Sequence, residues 1–344
     1  MTRLAAIAGL DAGRYPRHSL HAEQRIWVEK NCYVDVWIEV LHALRLEPLA
    51  MLPFASAIDF LGGQWTFFKP HHDELRDLYG LDVQELNVWR PLLEHAGELL
   101  EEGCLVATEA DAYWLPDVAA TDYRRHHSKS TIVLAELDVA GQRLGYFHNA
   151  GFFVLEAEDF RGLFQLDGAG RELPLFAEVI RLDRMIRRPT GDLVEASLNL
   201  WRAHRARWPQ VNPIDRFRAR FERDLGTLQE RGLSYYHAWA FGTTRQLGAA
   251  SELCAENLRW LDIHGGGEFS AAIAAFEALA AACKTFILKA ARSVNGKRAF
   301  ATADTFAEMA RLWDEAHEQT AAGLTGRRPA RPEIENQITN PACA

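Results

Sequence analysis

Cysteine is scarce, five residues in 344, and no CxxC occurs. Cys32, Cys104, Cys254, Cys283 and Cys343 are odd in number and far apart. That excludes a disulfide framework and a zinc knuckle. No run of about 18 uninterrupted apolar residues is present, so no bilayer span is expected. The nearest approach, Ala271 to Cys283, is alanine-rich and broken by Glu277. The apolar run after Arg3 ends at Asp11, too early for a signal peptide. Basic excess is also lacking. Lys+Arg 38 against Asp+Glu 47 leaves a formal charge of −9, which argues against a general nucleic-acid binder. GxSxG, the P-loop pattern, HExxH and a GxGxxG after a strand are all missing. The expectation is a soluble cytoplasmic protein in a reducing setting, with no metal, no bound cofactor, no nucleic acid and no membrane partner.

What is present fits an ordinary folded chain, 48% apolar and 25% charged. At this length about three quarters of the surface can be buried, so the core needs no staple. From Cys32 to Leu44, apolar residues Tyr33, Val36, Trp37, Val40, Leu41 and Leu44 keep a helical period. Val34 and Ile38 widen that arc, so the helix is packed on most sides. Asn31 is its N-cap, and Pro48 follows its end. Strand patterns follow over Cys104–Ala110, Thr131–Leu137, Leu144–Phe147 and Phe152–Leu155, with Asp138–Gly141 as a hairpin turn. Leu173–Leu182 reads as a further strand or a helix start.

After the breaker cluster Arg188–Asp192, helical patterns run over about 193–208, 213–230, 234–261, 268–293 and 302–321. The expected division is an α+β domain over 1–189, a helical domain over 190–324 and a mobile tail over 325–344. Between Arg181 and Arg220, ten arginines stand against four acids. On an acidic protein that is a docking face for an acidic partner, or a set of solvated helix faces.

Cys32 is the thiol that could do chemistry. It opens an apolar helix, where unpaired N–H groups favour an anion, and thiolate is the reactive species. His127 precedes the Thr131 strand, and His148-Asn149 ends the next one. A Cys on a helix with His and Asn on a sheet is the arrangement of papain-like enzymes. Strand spacing sets Asn149 opposite about residue 130, three residues or about 10 Å from His127. The third member is therefore Asn149, His148 or Asp111. His71 and His72, adjacent beside Asp73, read as a surface turn rather than a metal pair.

Five stretches carry a resemblance. They are Asn31–Asp35, Phe60–Lys69, Asp111–Pro116, His127–Ile132 and Leu144–Gly151, with a looser match at Thr243–Ala249. In this order they resemble a bacterial domain-of-unknown-function family, number 1839. That family is distantly similar to the N-terminal domain of the butirosin-biosynthesis acyltransferases, which are papain-like. The resemblance implies a papain-like fold followed by an all-helical domain. It implies Cys32 as nucleophile, His127 (rather than His126) as base and Asn149 as orienter. It also implies transfer of an aminoacyl group from the phosphopantetheine thioester of a carrier protein to a small-molecule amine. Gln24, Asn31, Asp111 and His148 are then oxyanion or supporting candidates. Tyr113, Lys129 and Trp65 are substrate-side candidates, and Arg202, Arg205 and Arg207 would dock the carrier. Arg245, in a helix of small residues, reads as an exposed arginine, the commoner case, or as a buried, paired anchor between the two parts. A cysteine hydrolase of the same fold and a non-catalytic carrier-binding module are the rivals.

Overall fold

The computed structural model describes residues 3–166 and 176–325. Cys343, the tail from 326 onward and residues 173–175 of the Leu173–Leu182 segment lie outside the described residues. The first part holds strands β1 (Leu4–Ala5), β2 (Phe60–Leu61), β3 (Gln64–Trp65), β4 (Asp82–Glu85), β5 (Leu105–Asp111), β6 (Lys129–Asp138), β7 (Arg143–His148), β8 (Gly151–Glu156) and β9 (Ala177–Arg181). Among them run helices α1 (Cys32–Ala43), α2 (His72–Tyr79), α3 (Leu92–Glu101) and α4 (Ala157–Leu163). The second part is α5 (Thr190–Arg205), α6 (Ile214–Gly242), α7 (Thr244–Ile263), α8 (Ser270–Gly296) and α9 (Ala303–Thr325). The protein is therefore α+β, an antiparallel sheet followed by a helical region.

The main sheet runs β4-β9-β5-β6-β7-β8, with β1 added on β6 and every pair antiparallel. Alternation along the strands separates two cores. Ala107, Val133, Ala135 and Phe147 pack toward α1. Val106, Ile132, Leu134 and Tyr146 face the other way, into a second core with α3 and α4. The β5–β6 register sets Glu109 opposite Thr131 and Asp111 opposite Lys129. On the α1 side these four residues form one row.

Helix α1 is buried on nearly all sides, as its wide apolar arc predicts, and that burial includes two carboxylates. Asp35 and Glu39 are sealed, and both meet the buried His21 ring. Tyr15 donates to Glu39 at 2.8 Å, and the Lys30 N–H donates to Asp35 at 2.8 Å. Buried charge is tolerated only when paired in this way. The segment before α1 is also pinned from the helical part. Glu252 of α7 accepts the Ile26 and Trp27 N–H groups at 3.0 and 3.1 Å. Arg245 donates to the Glu29 carbonyl at 2.8 Å, which makes it the anchor between the parts rather than an exposed arginine.

The change of character near residue 190 is one of secondary structure, not of core. Trp37 of α1 shares one apolar cluster with Trp201 of α5, Phe217 of α6 and Leu253 of α7. The expected break between 230 and 234 falls at Gly232, whose φ 81° and ψ −173° are not helical, and a second interruption, at Thr243, divides the expected 234–261 helix. Helices α2, α3 and α4 were not anticipated. By length and composition α8 is apolar enough to cross a membrane. Its Phe276, Leu279, Cys283 and Phe286 are buried against the neighbouring helices, as in a core helix.

Candidate functional site

Asn31 makes the start of α1. Its Oδ1 accepts the Val34 N–H at 2.9 Å, and its Nδ2 donates to the Phe68 carbonyl at 3.0 Å. The amide is spent on capping and on holding the Phe60–Lys69 segment, so it is not free to stabilise an oxyanion. Cys32 follows, half-buried, with its Sγ 3.6 Å from the Thr131 hydroxyl of β6. The other described thiols are in different surroundings. Burial pushes the Cys254 and Cys283 thiols well up, and burial with Glu102 nearby raises Cys104.

His127 lies just before β6. Its Nδ1 is 2.7 Å from Asp111 Oδ2, and its ring stacks on Tyr113 at 4.5 Å. The ring's partner is Asp111, not Asn149. Asn149 sits at the β7–β8 turn with φ 43°, where His148 pairs with Gly151. His127 remains 72% exposed, with Nε2 unengaged among the described residues. It stands four positions before Thr131, about 13 Å of extended chain. No imidazole lies within hydrogen-bonding reach of the sulfur among the described residues. To reach Cys32, the His127 ring has to leave Tyr113 and fold back along Lys129.

Two adjoining pockets occupy this face. One, about 250 Å³, is walled by Tyr33, Lys69, Thr131 and Glu178. The other, about 330 Å³, is walled by Asp111, His127 and Ser128. Glu109 and Lys129 belong to both and form an ion pair at 2.9 Å. In the first pocket, Tyr33 donates to Glu178 at 2.9 Å, and His72 Nε2 is 3.2 Å from the same carboxylate. Burial alone would raise Glu178, but the hydrogen bonds from His72 and Tyr33 hold it below the ordinary carboxylate range. Burial beside that anion raises the Tyr33 phenol. The two histidines read as a turn do different work. His71 precedes α2, and His72 begins it and braces Glu178.

His148 is on the reverse face of β6. Its Nε2 is 2.6 Å from Ser130 Oγ and its Nδ1 is 2.5 Å from Asp117. Tyr146 donates to the same Asp117 at 2.5 Å. The order is that of a serine relay, but His148 is 1% exposed, Asp117 3%, and none of Ser130, His148 and Asp117 lines the two pockets of the Cys32 face. It satisfies buried polar atoms and ties the loop carrying Tyr113 to the sheet.

Trp65 is buried among Phe60, Phe217 and Trp313, so it is core and walls neither pocket. Gln24 is exposed in the loop before α1, with no contact to Cys32 among the described residues. Arg202 donates to Asn199 at 2.7 Å, and Arg207 meets His71 at 3.0 Å. Those partners leave the charge uncancelled, and Arg205 is exposed. By contrast, Arg181, Arg216, Arg218 and Arg220 each pair with a carboxylate. The pairs Glu109–Lys129 and Tyr33–Glu178 were not anticipated. Their signal was faint, because cross-strand register and a helix-to-strand contact are tertiary facts.

The fold and site thus define an α+β chain with a capped helix-start cysteine against an antiparallel sheet and a helical C-terminal region. It belongs to the DUF1839 family. The DUF1839 N-terminal domain matches residues 16–182, and the DUF1839 C-terminal domain matches residues 190–322. No curated protein matches the chain.

Proposed function

We propose that the protein is a papain-like, cysteine-dependent acyltransferase that takes an acyl or aminoacyl group from a carrier-protein phosphopantetheine thioester. The observation that carries this reading is the half-buried Cys32 at the capped start of α1, beside a groove that ends in the His127–Asp111 dyad. The distant similarity to the butirosin-biosynthesis acyltransferases supports it by analogy of fold only.

In this mechanism His127, swung from Tyr113, accepts the Cys32 proton. The sulfur attacks the thioester carbonyl, a C–S bond to Cys32 forms and the C–S bond to the carrier breaks. The carrier thiol leaves with the proton held by His127. An amine then attacks the acyl-Cys, gives its proton to His127 and releases Cys32. Asp111 holds the ring tautomer and supports the imidazolium, a role assigned from sequence to Asn149. The Cys32 N–H, at the positive end of α1, faces the developing oxyanion. The uncancelled charge of Arg202, Arg205 and Arg207 fits an acidic carrier. Water in place of the amine turns the same steps into thioester hydrolysis.

A non-catalytic carrier-binding reading is favoured by one observation. The sulfur's hydrogen-bond partner is Thr131, and no imidazole of the described residues is in reach. Intact-mass measurement after incubation with S-acyl-pantetheine thioesters separates the readings. The transferase reading expects one acyl adduct on Cys32, cleared faster by added amine than by water. Clearance by water alone means hydrolase, and an unmodified protein means a binding module.

A further inference from the structure

The pocket beside Thr131 contains Glu178 and Lys69, which feel each other's charge but form no ion pair within 4.0 Å among the described residues. Glu178 has a side chain only 3% exposed but lines the cavity, and Tyr33 and His72, its hydrogen-bond partners, favour its ionised form. A carboxylate offers about four lone-pair sites, so these contacts leave room for another donor. Lys69 is exposed, its ammonium 4.9 Å over the Tyr33 ring, with no carboxylate within 4.0 Å among the described residues. The other ionic residues of the pocket, Glu109 and Lys129, neutralise each other. Two large rings stand at the same cavity with much of their surface in water, Phe67 at 59% and Phe176 at 41%. Exposed aromatics gathered at a concave polar site are what a ligand with an apolar portion would cover.

The geometry points to a binding site for a free zwitterionic amino acid with an apolar side chain. Its ammonium meets Glu178, its carboxylate meets Lys69, and its side chain lies between Phe67 and Phe176. The cavity, about 250 Å³, is of the size such a molecule needs. Sign selection comes from requiring both charges on one ligand. A cation alone leaves Lys69 with no ion-pair partner, and an anion alone meets Glu178 with like charge. Under the acyl-transfer reading this ligand is the amine acceptor, but its binding does not rest on that reading.

The test uses the full chain and three probes of one shape, L-phenylalanine, phenethylamine and 3-phenylpropionate, titrated calorimetrically. L-Phenylalanine should bind at least roughly tenfold more tightly than either analogue, since each analogue loses one charge-assisted contact. Lys69→Gln should remove the preference over phenethylamine and keep the preference over 3-phenylpropionate. Phe67→Ala should weaken all three probes together. No binding of L-phenylalanine, or equal binding of the three probes, overturns the assignment. Cys32→Ala should bind L-phenylalanine as the wild type does. The site and the acyl-transfer mechanism therefore fail separately.

Discussion

A His–Asp pair stands on each face of the sheet near the start of β6. His127–Asp111 stands in water on the side of Cys32, while His148–Asp117 is sealed with Ser130 on the side of α3 and α4. Both imidazoles meet an aspartate through Nδ1, but only His148 also has a hydroxyl on Nε2. What differs is access. A solvated pair can pass a proton to something that arrives, and a sealed pair can only satisfy its neighbours. Access rather than residue identity therefore decides which pair is open to an arriving molecule and which is a fastening.

The sharpest way to break that contrast is to remove each nucleophile. Cys32→Ala should abolish the acyl adduct in intact-mass spectra, while Ser130→Ala should keep it. An adduct that followed Ser130 would reverse the assignment of the two faces. Next in size is the loss of each imidazole. His127→Ala should slow acylation by about 10²–10⁴, the usual contribution of a general base, in a stopped-flow thioester assay. Its unfolding midpoint in urea should stay with the wild type.

His148→Ala should do the opposite on stability. It strips the buried Asp117 and Ser130 of their partner and should cost about 3 kcal/mol, read as a lower urea midpoint at unchanged slope. Equal stability of the two variants would erase the contrast. The smallest effect concerns pH. Burial, with His42 nearby, lowers His18 from 6.5 to about 4. Between those values the unfolded chain binds more protons at this position, so its contribution to stability is lost as pH falls from 6.5 toward 4. His21 acts in the opposite sense. Its raised value, from Asp35 and Glu39 outweighing burial, gives stability that is greatest in acid and is lost as pH rises. His18→Asn keeps an acceptor for the Leu20 N–H and should flatten the acid side of a thermal-melt series.

The parts legible in sequence were those set by local chemistry. The Asn31 cap, the wide apolar arc of α1 and the β6–β7 hairpin follow from a few neighbouring residues, and each is where the pattern puts it. The helices α2 and α3 were missed because each is short, and α2 opens with His72-Asp73-Glu74, which reads as polar loop. The break at Gly232 was legible because glycine punctuates a helical pattern, whereas the one at Thr243 was not, since no Gly-Pro cluster marks it. At the site, Cys32 and His127 were visible as types at suggestive positions. The orienting partner stayed open among Asn149, His148 and Asp111, since it is the β5–β6 register that brings Asp111 to His127. Trp65, a substrate-side candidate whose pattern favoured core over pocket wall, is core, packed on Phe217 and Trp313.

The central claim is that Cys32 is the reactive thiol and that His127 makes it so. Peptide-resolved iodoacetamide labelling near neutral pH, with wild type and His127→Ala side by side, tests it most directly. The account predicts that Cys32 is alkylated well before Cys104, Cys254 and Cys283, and that its rate drops when the imidazole is removed. A Cys32 rate unaltered by that substitution, or labelling led by Cys104, would contradict it.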